Sequence, residues 1–237
     1  MIPNKFSYSS LSLYQDCPRC YWLKYVAGIK QKRISHNLIL GKIVHELLEY
    51  EGQEKQPSIE SIIKKHLPPE DLIMGNTVNG IIQEVKTMAN LIDKYPLSFN
   101  VVEREKEFFI PLDGNIIHGF IDGITDNNEI LEHKTSSVKY DLARVHESPQ
   151  SRIYSMAFRQ IKGILPTKII YDVLYKSKIG IRDLISTNFT EQELQQTKEW
   201  MLGLINMIKA QQFTPYKSVG FLHRGWCDHK NLCKYCR

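Results

Sequence analysis

The spacing of apolar residues changes period along this chain, dividing it into helical and strand-forming stretches. Residues 7–28 read as two helical pieces: Ser9 or Ser10 can cap the first, Pro18 stands where the second starts, and Gly28 closes it. From Gly41 to Glu51, Ile43, Val44, Leu47 and Leu48 fall on one helical stripe with His45 at its edge. Residues 53–95 keep the helical period, broken by Pro68-Pro69 and Gly75, and read as a helical insertion.

Between residues 100 and 135 the period drops to two. Three strands are predicted there, joined by turns at Asp113-Gly114-Asn115 and Asp126-Asn127-Asn128. A helix follows from Ser148-Pro149 to about Lys162, then strands over 168–175 and 184–188. Thr190 and Glu193 make a capping box that opens a long helix with Leu194, Met201, Leu204, Ile205 and Ile208 on its apolar stripe. After Phe213 the tail is irregular and basic. With no internal repeat, residues 1–237 read as one α/β domain.

The candidate chemistry sits in the strand region. Alternation puts Glu132 and Lys134 on one face and Leu131 and His133 on the other, and the hairpin returns Asp122 to their neighbourhood. Two carboxylates beside an ammonium suit a hard divalent cation and a phosphate. Alone, a Glu-x-Lys pair is ordinary surface alternation, so other parts of the chain must support the reading.

A net charge of +5 permits a polyanionic partner but does not demand one. No stretch reaches the roughly 18 apolar residues of a membrane helix, and the first residues lack the apolar core of a signal peptide, so a soluble, cytoplasmic protein is expected. The five cysteines lie only at the two ends: Cys17 and Cys20, then Cys227, Cys233 and Cys236. An odd number at close spacing points to metal or cluster ligation, by zinc or iron and sulfide, rather than a disulfide framework.

Four short patterns occur in one order: Gly41-x3-His45 on a helix, Gly119-x2-Asp122 on a strand, Glu132-x-Lys134 on the next, and Gln150-x3-Tyr154 on the following helix. With the opening SYSSLSLYQDCPRCYWLKYV, they resemble the RecB-like branch of the PD-(D/E)XK nuclease superfamily. Within it, the chain is similar to the CRISPR-associated iron-sulfur exonucleases and the AddB nuclease domain. The resemblance runs from Ser7 to Cys236. It implies a restriction-endonuclease-like core, a central mixed sheet flanked by helices, with an N-terminal helical segment and a cysteine-rich tail of about 213–237 packing on it.

The resemblance also implies roles. His45, Asp122 and Glu132 would hold Mg2+ or Mn2+ with the backbone carbonyl of His133, Lys134 would be the catalytic lysine, and Gln150 and Tyr154 would face the active site and the DNA. Whether Lys134 acts as base or electrostatic clamp stays open. So does one metal or two, with Glu103 or Glu105 available for a second ion. Cys17, Cys227, Cys233 and Cys236 would hold a [4Fe-4S] cluster, although relatives end in Cys-x2-Cys-x5-Cys and Arg224 stands where one of those cysteines would fall. Cys20 is the alternative fourth ligand. The implied activity is a DNA exonuclease on single strands or ends, leaving 5'-phosphates, in CRISPR processing, DNA repair or a phage function. Beside DNA, the expected partners are a second copy of the chain or a nuclease or adaptation complex; the alternatives to the exonuclease are a cluster-bearing DNA-binding or CRISPR-adaptation subunit with minor cleavage, and a zinc-stabilised interaction protein.

Overall fold

The computed structural model describes residues 2–30, 33–176, 180–215 and 233. They form two compact units, one from residues within 1–31, 107–119 and 190–237, the other from 32–106 and 120–189.

The first unit is built on N-terminal helices. A short strand β1 (Lys5–Phe6) leads into α1 (Tyr8–Asp16), which is capped by Ser7, ahead of the expected Ser9 or Ser10. Ser7 Oγ accepts from the Ser10 N–H while Ser10 Oγ accepts from the Ser7 N–H, so Ser10 completes the cap rather than forming it. Cys17 ends α1 and opens α2 (Pro18–Tyr21), which continues as one π-helical turn over Trp22–Val26. The long C-terminal helix opens on the Thr190/Glu193 capping box, as read from the sequence. Just past its end, the Gln212 carbonyl accepts from Tyr14 Oη at 2.7 Å. Tyr14, Tyr21 and Phe213 pack edge-on and stacked around that bond.

The second unit carries the site. Short strand β2 (Ile34–Ser35) precedes α3 (His36–Glu49), which starts five residues before the expected Gly41. Ser58 and Thr77 cap α4 (Ile59–His66) and α5 (Val78–Lys94), and β3 (Ile73–Met74) pairs with β2 between them. The segment 53–95 joins the main core: Ile62, Ile81, Val85 and Met88 pack with Ile39, Leu40, Ile43 and Val44 in one buried cluster that reaches Leu174. Mutual burial of these apolar faces, each aliphatic side chain contributing about 1.5–3 kcal/mol, fixes α3 against the sheet.

That sheet grows from β4 (Val101–Leu112) and β5 (Asn115–Thr125), which begin in one unit and end in the other. The two-residue turn between them, Asp113-Gly114, has positive φ at both positions, the geometry that matches strand twist. β5 pairs antiparallel with β6 (Ile130–Ser136), β6 parallel with β7 (Ile169–Tyr175), and β7 antiparallel with β8 (Ile181–Thr187). The parallel pair needs a crossover, supplied by α6 (Leu142–His146) and α7 (Pro149–Lys162). The final helix is α8 (Glu191–Lys209).

Candidate active site

The β5–β6 ladder runs through Ile124↔Ile130 and Gly123↔Leu131. One residue further, the His133 N–H is bonded not to a strand carbonyl but to Asp122 Oδ2 at 2.7 Å. A side chain thus replaces a ladder bond where the strands part. On the α3 side of this opening, His45 Nδ1 stands 3.6 Å from Asp122 Oδ2, and the His45 ring meets the His133 ring edge-on at 5.9 Å.

Glu105 reaches the same point from β4. His45, Glu105 and Asp122 each offer a ligand atom, all within 4.8 Å of one another. The Glu105 backbone has φ +46°, a left-handed conformation that costs a non-glycine residue about 1–3 kcal/mol. These residues line an open groove of 580 Å3 whose wall is α3, from Asn37 and Leu38 through Lys42 to Glu49. Gly41 on that wall leaves open space where a Cβ would stand, so the groove floor approaches the helix backbone.

On the opposite face of β6, Lys134 makes a charge-assisted bond to Glu132 and donates to Gln150 Oε1 at 3.0 Å. Gln150 in turn donates to Tyr154 Oη at 2.8 Å, as their spacing of one helical turn on α7 allows. Beneath His133 lies a cluster without a hydropathy signature. His133 Nδ1 bonds Asp172 at 2.8 Å, Arg182 binds Asp172 through Nε and Nη2, and its Nη1 and Nη2 reach Glu51 at 2.8 and 2.7 Å.

Protonation follows from this crowding. Burial, then the Glu132 carboxylate, pushes Asp122 well above the usual carboxylate range. Burial pulls Lys134 down, but the Glu132 charge outweighs it and holds the ammonium above its ordinary value. Burial and then Glu49 raise Glu105. Burial, then His133 and Lys134, push His45 down to about 3, so its imidazole is neutral and able to ligate a cation.

The sign of that last shift gives an expected result. Below 6.5 the unfolded chain takes a proton at His45 that the native protein refuses, so stability falls as pH drops from 6.5 toward 3. His45→Gln is expected to flatten that slope, measured by denaturant unfolding across the window; an unchanged slope would assign the acid lability to other groups.

The donor set suits a divalent cation. Its oxygen and imidazole donors converge, the carboxylates repel one another, and Glu132 Oε2 is buried and accepts no hydrogen bond from the described residues.

The structure therefore brings His45 and Asp122 together on the α3 side, and Glu132, Lys134, Gln150 and Tyr154 together on the other face of β6, with the His133 N–H bonded to Asp122 between them. It adds Glu105 to the first pair directly, and Asp172, Arg182 and Glu51 from below. Of the cysteines, Cys17 and Cys20 are buried together against Leu13, and Cys233 is buried. Cys227 and Cys236 lie outside the described residues, as does Arg224. Among the described residues no helix is long and apolar enough to cross a membrane.

Among curated proteins no sequence match is found. The crystal structure of a protein named "Putative exonuclease" from Eubacterium rectale superposes over 99% of this chain and 87% of that one, at 15% identity and a TM-score of 0.68, which establishes the shared fold. A second structure, SSO0001, aligns over 97% of this chain and 96% of that one at 18% identity, with a TM-score of 0.41, too loose to define a common fold. The fold is restriction-endonuclease-like, a central mixed sheet flanked by helices. The sequence profile of the PD-(D/E)XK nuclease superfamily, whose enzymes are phosphodiester hydrolases that use divalent metals, matches residues 5–234. The chain belongs to the PD-(D/E)XK nuclease superfamily.

Proposed function

We propose that the protein is a Mg2+- or Mn2+-dependent DNA exonuclease that acts on single strands or DNA ends and releases 5'-phosphate products. The observation that carries this reading is the convergence of His45, Glu105 and Asp122 beside the Glu132–Lys134 pair. When bound, the cation supplies a Lewis acid at a phosphate oxygen and lowers the pKa of the attacking water.

The residues of the chain then have separate tasks. His45, Asp122, Glu132 and the His133 carbonyl would hold the ion, and Glu105 would add a further carboxylate. Lys134, kept cationic by Glu132, offsets charge that builds on the phosphate rather than taking a proton. Gln150 fixes the Lys134 ammonium in place and links it to Tyr154. Burial, then Glu132 and Asp122, hold the Tyr154 phenol well above its ordinary pKa, so it presents a neutral hydroxyl to the substrate. The exonuclease assignment draws on the name of the Eubacterium rectale protein and on the resemblance of the sequence motifs.

A [4Fe-4S] cluster on Cys17, Cys227, Cys233 and Cys236, with Cys20 as alternative to Cys236, is part of the same proposal. The burial of Cys17, Cys20 and Cys233 supports it. The deciding experiment digests end-labelled linear and closed circular DNA, single- and double-stranded, with each metal in turn. Metal-dependent loss of linear single strands with circles spared is expected. Cutting of circles would replace exonuclease by endonuclease, and no digestion of any DNA would remove the proposal.

A further inference from the structure

Immediately beyond Lys134 the chain forms a fixed loop rather than a free one. Ser136 Oγ donates to the Val138 carbonyl at 2.7 Å and accepts from the Val138 N–H at 3.0 Å, and Asp141 then caps α6. The Tyr140 N–H is held by Tyr175 Oη at 2.9 Å.

This loop completes a series of planar groups that starts at the reacting face. Glu132 is paired in register with Tyr171 on β7, whose hydroxyl is fixed by Ser151 and Ser148. The Tyr171 ring lies 6.1 Å from that of Tyr140, and the Arg144 guanidinium lies over the Tyr140 ring, 4.0 Å from its centroid. Burial decreases along the series: Tyr171 is buried, Tyr140 half-buried and Arg144 exposed.

Arg144 is unusual for a surface arginine. Its guanidinium makes no ion pair among the described residues and lies over a ring while the residue stays exposed. On either side of Tyr140 in the chain, Val138 and Leu142 are 62% and 58% exposed. A planar cation without a carboxylate, beside exposed aliphatic groups, matches a flat π-system attached to a phosphate.

We propose that Tyr140 and Arg144, with Val138 and Leu142, form a stacking platform for an unpaired nucleobase of single-stranded DNA held next to the Glu132–Lys134 face. The platform rests on the nuclease reading and deepens it by naming the residues that would hold an unpaired base. Bases in a duplex are already stacked and cannot be offered to it without unpairing, whereas a single strand presents every base. The cation adds attraction for the neighbouring phosphate, but the selectivity comes from the plane.

The test uses the full chain with Mn2+ and two end-labelled single-stranded oligonucleotides, one normal and one with a run of abasic sites that keeps the phosphates. Arg144→Ala and, separately, Tyr140→Leu are expected to raise KM on the normal strand about ten- to a hundredfold with a much smaller change in kcat. On the abasic strand Tyr140→Leu and the unaltered protein are expected to be alike, while Arg144→Ala keeps only the smaller loss that its missing charge causes, well below its loss on the normal strand. Arg144→Lys, which keeps the charge and loses the plane, is expected to restore little. Full rescue by lysine, equal losses on both strands, or no effect of either variant would overturn the platform while leaving the nuclease reading intact. Failure of the unaltered protein to cut any DNA would overturn both. Circular dichroism melting of each variant separates a lost platform from a lost fold.

Discussion

Lys134→Ala is expected to lower the cleavage rate by about a hundred- to ten-thousandfold while DNA affinity changes little. Glu132 is 2% exposed and has one oxygen on Lys134 and the other, among the described residues, without a hydrogen bond. Removing the ammonium leaves a buried carboxylate next to Asp122 without its cation, a change that costs about 3–5 kcal/mol in the metal-free protein. A divalent ion can repay part of this, because the site has become more negative. The variant is therefore expected to melt early in chelator and to gain more from Mn2+ than the unaltered protein does, yet to remain inactive. Thermal melts with and without Mn2+, beside digestion of end-labelled DNA, check both halves. Near-normal cleavage by the variant would remove Lys134 from the mechanism.

A second large effect is expected away from the groove. Arg182→Ala strips Asp172 and Glu51, both buried or nearly so, of four hydrogen bonds and leaves the Tyr95 carbonyl without its donor. Breaking a buried ion cluster by deleting one partner costs about 3–5 kcal/mol. At this chain length that corresponds to a drop in Tm of about 6–20 °C. Asp172 also holds the His133 ring, and His133 holds Asp122 through its N–H, so the loss is expected to reach the site as weaker Mn2+ binding. Calorimetric Mn2+ titration beside the melt distinguishes the two consequences. A Tm within 2 °C of the unaltered protein, roughly the effect of 1 kcal/mol or less, would show that the cluster contributes little.

Much of the scaffold was legible because local chemistry and tertiary contacts agree. Asp113-Gly114 needs positive φ at both positions, and the Thr190/Glu193 box needs nothing beyond its own helix. The neighbourhood of Asp122, Glu132 and Lys134 followed from strand alternation and one turn. What escaped the sequence reading is where polarity is buried. Arg182 and Asp183 break the apolar run of β8, so the strand was expected from 184; it starts at Ile181 because Arg182 turns inward onto Asp172. The first turn of α3 is His36-Asn37, too polar to extend the apolar stripe backward from Gly41. The five residues of α6 are too few to show a period, and only Asp141 as cap announces them. Glu105 was one of two candidates on its strand, and no periodicity could have chosen it over Glu103, which instead pairs with Lys106 and Lys162.

Glu105 has a practical consequence for anyone who would make this protein hardier. Selection for heat resistance alone would favour glycine or asparagine at a left-handed backbone position, since both sit there more comfortably than glutamate. Such a variant would emerge from a thermal screen as an improvement while having discarded a carboxylate from the cation's surroundings. Screens on this scaffold should score turnover alongside melting.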